Sequence, residues 1–195
     1  RPAGLPTTVV YPFGGGDLVS ALTTYPDARD ITTMSLEHAG DPRRIGKVNQ
    51  AELADSLELI RKTANGLLVA NDSKTENLMK GQRGELPGQI SFFLIALAVH
   101  GYEPVSLRYF RVEPDGTLHY ITAKDIADLE KQNAELLHKS WVSPDFSVAF
   151  SNSELTFVKK GGNPKDVWVH RHIAENLADD HFGKDAGLKK YLENK

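Results

Sequence analysis

One stretch near the start of the chain constrains the fold more than any other. Residues 7–13 (TTVVYPF) are mostly β-branched or aromatic, and the three glycines at 14–16 follow at once. Such side chains favour a strand, and Pro12 fits only at its end because proline donates no ladder hydrogen bond. Asp17 then stands where a helix N-cap is expected. The stretch predicts a strand, a glycine turn and a helix.

The residues that follow continue this alternation. Residues 18–25 place apolar side chains at helical spacing, and residues 31–36 are again rich in β-branched side chains, which predicts a second strand. Glu37 comes directly after that strand. Ligands bind at the carboxyl ends of parallel strands, which meet at one edge of a sheet. We therefore expect Glu37 and the glycine turn to share a ligand site.

The rest of the chain predicts alternating elements and then a β-rich region. In chain order these are a helix at 50–64, a strand at 67–70, a buried helix at 89–100, a hairpin of strands 105–112 and 117–122, a helix at 124–141, a second hairpin of strands 146–150 and 155–159, a strand at 167–173 and a helix at 184–193. This order predicts a single α/β domain over residues 1–195. We expect a Rossmann-like three-layer sandwich, with a mainly parallel sheet in the front half and antiparallel hairpins in the back half.

Composition excludes several classes of function. The chain has 195 residues and a formal net charge of −3, so its overall charge gives no electrostatic reason to expect binding to nucleic acid. It has no cysteine, so disulfides, thiolate metal sites and cysteine nucleophiles are excluded. No segment approaches the roughly 18 apolar residues of a membrane span. We predict no nucleic-acid partner and no transmembrane segment, and protein partners stay open.

Both ends of the chain are abrupt. Arg1 stands where an initiating methionine would be, and residues 188–195 predict a helix that stops without a cap or a polar tail. We expect the chain to be a fragment of a longer protein, from which a targeting signal could have been removed.

The glycine turn is open to two interpretations. A dinucleotide-binding turn would need glycine or alanine where Val19 stands, and Asp17 puts a negative charge where a pyrophosphate would lie. Both features disfavour NAD and FAD and favour a ligand with a cationic or neutral end. The alternative is a tight strand-to-helix turn, capped by Asp17, that binds nothing.

Residues 7–37 resemble the nucleotide-binding unit of class I S-adenosylmethionine-dependent methyltransferases, which have a glycine loop after the first strand and an acidic residue ending the second. The resemblance implies a small-ligand-binding, methyltransferase-like domain with S-adenosylmethionine as cofactor; without it no cofactor is expected. Asp17 would hold the methionine amine and Glu37 the ribose. The family also has an acidic residue just before the glycines, whereas this chain has VYP at residues 10–12.

A third acidic residue, Asp72, follows the strand predicted at 67–70. It would either border the adenine or belong to an ordinary Asx turn, which is the simpler interpretation. The cofactor-binding residues that the resemblance implies are Gly14, Gly15, Gly16, Asp17, Glu37 and Asp72. No catalytic residue is assigned, because methyl transfer depends mainly on positioning the substrate nucleophile. Whether the chain is an enzyme stays open.

A second resemblance covers more of the chain. A group of bacterial proteins without an established activity, several of them exported or lipoprotein-like, resembles this chain in the segments 11–17 (YPFGGGD), 25–28 (YPDA), 35–37 (SLE), 100–102 (HGY), 178–180 (ADD) and 187–192 (GLKKYL). The resemblance implies an alternative function: a non-enzymatic envelope protein with a degenerate Rossmann-like core. The compartment would be the bacterial cell envelope if an upstream export signal was removed, and the cytoplasm otherwise.

Two histidines raise the question of a metal site. His170 and His172 lie two residues apart on a predicted strand and therefore on one face, a spacing that can bind a metal. No third ligand is evident nearby, although His181 and residues 179–180 (DD) could fold back. A polar strand face with solvated histidines is the favoured interpretation, and we predict no metal.

Overall fold

The computed structural model describes residues 4–12, 17–69, 88–136, 148–178 and 181–195. The described residues form one six-stranded mixed sheet and five α-helices, which confirms the α/β class. The strands are β1 (Thr8–Tyr11), β2 (Asp30–Ser35), β3 (Tyr102–Val112), β4 (Leu118–Tyr120), β5 (Asn152–Lys159) and β6 (Trp168–Ala174). The helices are α1 (Asp17–Thr24), α2 (Gln50–Val69), α3 (Ile90–Val99), α4 (Ala123–Leu136) and α5 (Ala186–Glu193). Short 3-10 turns lie at Pro42–Lys47, Val148–Phe150 and Phe182–Lys184.

The sheet has the strand order β1-β2-β6-β5-β3-β4. β1, β2 and β6 are parallel neighbours, whereas β6, β5, β3 and β4 pair antiparallel. The predicted hairpin at residues 105–122 is confirmed as β3 and β4. The third parallel strand, β6, comes from near the end of the chain. Because β1, β2 and β6 are parallel, their carboxyl ends lie at the same edge of the sheet. In a doubly wound sheet the first strand is central, but here β1 lies at the edge of the described strands.

Two predicted elements are wrong. Residues 67–69 are the last turn of α2 and not a strand; residue 70 lies outside the described residues. The sequence predicts a helix end at residue 64, yet α2 continues through Gly66 to Val69, because glycine inside a helix costs only about 1 kcal/mol and is tolerated. The hairpin predicted at 146–159 is also absent, because residues 148–150 form a 3-10 turn and β5 pairs with β3 and β6 instead.

Helices pack on both faces of the sheet. Side chains alternate along β2, so Ile31 and Thr33 point to one face while Thr32 and Met34 point to the other. The first face packs against α1 and α3 in the larger apolar cluster, which contains Ile31. The second face packs against α5, where Met34 belongs to the smaller cluster. No described helix is long and apolar enough to cross a membrane.

A network of ion pairs crosses the second face. The carboxylate of Glu154 is 2% exposed and accepts hydrogen bonds from Arg108, from the Tyr120 hydroxyl at 2.7 Å and from Arg171 Nε at 2.8 Å. Arg171 also reaches Asp30 at 3.0 Å. The buried charges on this face are therefore well paired, which a charge inside a protein requires.

We predict that Arg171→Met lowers the free energy of unfolding by about 2–3 kcal/mol, because it leaves two carboxylates with fewer partners. Urea unfolding measures the loss. The matched control is Arg111→Met, which removes a half-exposed pair with Glu113 and should cost less than about 1 kcal/mol. Equal losses in the two variants would contradict this account of the network.

Candidate functional site

The carboxyl ends of the parallel strands hold the site that the sequence indicated. β1 and β2 run parallel, α1 begins at Asp17 as predicted, and Glu37 lies two residues beyond the end of β2. Glu37 is therefore at the expected edge. Gly14, Gly15, Gly16 and Asp72 lie outside the described residues, as does the side chain of Asp17. Only Glu37 of the predicted site can be described in full.

Residues 37–40, which we call the strap, cross this edge and bind the start of α3. The main-chain amide of Gln89 donates to the carbonyl of His38 at 3.0 Å, and that of Ile90 donates to the carbonyl of Ala39 at 2.9 Å. Gly88 makes this approach possible: its φ is +39°, and a Cβ there would lie 2.6 Å from both carbonyl oxygens. Strap carbonyls thus occupy the first amides of α3, where a phosphate could otherwise bind.

The other side of the strap is bonded to the turn before β5. The amides of Ala39 and Gly40 donate to the carbonyls of Ser151 at 2.9 Å and Phe150 at 3.0 Å. The hydroxyl of Tyr109, on β3, donates to the carbonyl of Gly40 at 2.8 Å. The strap is therefore fixed from both sides, and the position of Glu37 is fixed with it.

A chain of buried side chains joins the strap to the sheet. Thr33 Oγ1 lies 2.9 Å from His170 Nε2 and 3.3 Å from His172 Nδ1, and His172 Nε2 lies 2.8 Å from the carbonyl oxygen of Glu37. A carbonyl only accepts, so His172 Nε2 carries a proton, and in the neutral ring Nδ1 accepts. The Thr33 hydroxyl then donates to His172 and accepts from His170 Nε2–H. This leaves His170 Nδ1 as a bare acceptor.

The expectation of solvated histidines is wrong. His170 and His172 are 0% and 1% exposed, because β6 lies inside the sheet and the ring of Phe93 covers both at centroid distances of 4.5 and 5.2 Å. Burial lowers the pKa of His172 to about 4 and that of His170 well below its usual value. Among the described residues, no group of three or more potential ligands could hold a metal.

Several buried polar atoms have no hydrogen-bond partner among the residues that the structure describes. They are Glu37 Oε1 and Oε2, Gln89 Oε1 and Nε2, Ser35 Oγ, Ser153 Oγ and His170 Nδ1. Glu37 is 5% exposed and Gln89 is 0% exposed. A further such atom, the indole nitrogen of Trp168, lies at the amino end of β6. Native proteins pair most buried polar atoms, so this concentration is unusual.

We call these residues (Ser35, Glu37, Gln89, Ser153 and His170) the buried polar cluster. Ser35 and His170 lie on the face of the sheet that α3 covers, and Ser153 is paired with His172 in the ladder. Sequence reasoning missed both serines and Gln89. Gln89 carried a signal, because it is a polar residue directly before the ten apolar-rich residues of α3.

A cleft of about 510 Å³ opens at the same edge on the second face. Glu175, Asp185 and His181 help to line it, and the amide of Glu175 donates to the carbonyl of Ser35 at 2.7 Å. Burial and the nearby charge of Asp185 raise the pKa of Glu175. After β2 the chain continues on the face of the sheet that α3 covers, whereas after β6 it continues on the face that α5 covers. Such a switch point creates a crevice where ligands commonly bind.

We predict that the buried histidines make the fold sensitive to mild acid. Burial lowers the pKa of His38 to about 4, as it does for His172. The unfolded chain takes up protons near pH 6.5, which the folded protein does not. The free energy of unfolding is therefore highest above pH 6.5 and falls toward pH 4, by about 1.4 kcal/mol per pH unit for each histidine.

Urea unfolding at pH 7, 6 and 5 tests this prediction. His172→Gln keeps a donor toward the Glu37 carbonyl. It should make the change of unfolding free energy with pH smaller by about 1.4 kcal/mol per pH unit, the contribution of one histidine. The control is His119→Gln, which replaces a half-exposed side chain. A slope that is unchanged in His172→Gln would contradict the prediction.

Comparisons with known protein families, with curated proteins and with solved structures find no match to this chain. The strap and the buried polar cluster therefore carry the functional assignment.

Proposed function

We propose that the protein binds a small polar molecule at the carboxyl end of β2, where Glu37 accepts hydrogen bonds from hydroxyl or amino groups of the ligand. The observation that carries this proposal is the Glu37 carboxylate, whose two oxygens are buried and have no hydrogen-bond partner among the described residues. Such a group is unfavourable in the unbound protein and becomes satisfied when a donor reaches it.

The ligand that we propose for this position is an adenosyl compound. In nucleotide-binding α/β units, an acidic residue after the second strand accepts hydrogen bonds from ribose hydroxyls, and a carboxylate accepts two of them. Glu37 follows the second strand, next to a parallel β1. S-adenosylmethionine is the candidate ligand, with Asp17 and the glycines at 14–16 as further contacts. A methyltransferase-like reaction would depend on positioning the substrate, and no catalytic residue is assigned.

The finer fold assignment belongs to the same proposal. A Rossmann-like three-layer arrangement is supported by the parallel unit β1-α1-β2 and by the packing of α5 on the face opposite α1. The switch point between β2 and β6 supports a ligand crevice at this edge, since their following segments leave to opposite faces.

We predict that the parent protein binds adenosine, S-adenosylmethionine and S-adenosylhomocysteine, and that Glu37→Met weakens each at least about tenfold, because it removes two acceptors. Isothermal titration calorimetry measures the affinities. 2′,3′-Dideoxyadenosine, which lacks the 2′- and 3′-hydroxyls of the ribose, should bind the parent correspondingly weakly, and Glu37→Met should lose this discrimination.

The control is Glu103→Met, on an exposed carboxylate of β3, which should bind like the parent. If a folded parent protein shows no binding heat with any of the three adenosyl compounds, the proposal is overturned and the non-enzymatic alternative is favoured.

A further inference from the structure

We propose that Gln89 determines the specificity of this site by pairing its amide with a neighbouring donor and acceptor on a planar heterocycle, such as the amino group and adjacent ring nitrogen of adenine. This inference rests on the proposed function and adds a second recognition residue to it.

The amide of Gln89 has no structural task among the described residues. Gln89 is 0% exposed, and neither its amide oxygen nor its amide nitrogen has a hydrogen-bond partner. It precedes α3 at the N-cap position, yet its side chain makes no capping hydrogen bond. A buried primary amide can make up to four hydrogen bonds, so leaving it unpaired destabilises the unbound protein.

The main chain of Gln89 is held firmly. Its amide donates to the carbonyl of His38 at 3.0 Å, and its carbonyl accepts from the amide of Phe93 at 3.0 Å. The close approach at Gly88 permits no side chain there. Gln89 is therefore bonded to the residue next to Glu37, and both unpaired groups belong to one fixed junction between the strap and α3.

The two groups recognise different chemistry. A carboxylate only accepts, so Glu37 selects hydroxyl or amino donors, whereas the glutamine amide both donates and accepts. Glutamine pairs in this bidentate way with the amino group and an adjacent ring nitrogen of adenine. Together they suit a ligand with a diol or amine at one end and an amino-substituted heterocycle at the other.

The test compares adenosine with purine riboside, which lacks the amino group. The parent protein should bind adenosine at least about tenfold more tightly, a difference typical of one buried hydrogen bond. Gln89→Met should abolish this preference while keeping the discrimination against dideoxyadenosine that Glu37 provides. Gln50→Met, on the exposed first residue of α2, is the control and should keep the preference.

A second measurement needs no folded variant. Two deaza analogues of adenosine each lack one of the ring nitrogens beside the amino group. One of the two should bind the parent at least about tenfold more weakly than adenosine does. If the parent binds adenosine, purine riboside and both deaza analogues equally, or if Gln89→Met keeps the preference, the inference is overturned while the proposed function stands. If no nucleoside binds the parent, both are overturned.

Discussion

Two main-chain hydrogen bonds hold the site together: those from the amides of Gln89 and Ile90 to the strap carbonyls of His38 and Ala39. They attach the start of α3 to the residues that follow β2, and they require glycine at position 88. Because of them, the start of α3 fixes where the main chain of the strap, and with it Glu37, lies. The same bonds use amides that an anionic ligand could have taken, which favours a ligand rich in donors.

The two faces of the sheet differ in how well their buried polar side chains are paired. On the face toward α5, Glu154 has three partners and Arg171 bridges two carboxylates. On the face toward α3, the carboxylate of Glu37 and the side-chain amide of Gln89 have no partner within the described part of the chain. The buried charges of Glu154 and Arg171 are therefore paired on a face where they contribute only to the fold. We propose that the unpaired cluster is a site kept for binding, where stability is given up for function.

Local pattern was enough to predict the first strand-helix-strand unit and the place of Glu37, since β-branched runs and an N-cap act within a few residues. It failed for residues 67–69, where helix α2 continues through Gly66 instead of giving way to a strand. It also failed for His170 and His172. Alternation along a strand shows which residues share a face but not whether another element covers that face. Here the face is covered by Phe93, which is distant in sequence. Gln89 is important because it is bonded to the strap, and no sequence motif predicts the strap.

The central claim is that Glu37 is buried at a cost to stability because it serves a ligand. The most direct measurement is the free energy of unfolding of Glu37→Met against the parent, by urea at pH 7 without ligand. Methionine has a similar length and no need for a buried partner, so we predict a gain of about 1–3 kcal/mol. A loss of similar size would contradict the claim, because it would mean that the carboxylate contributes to the fold.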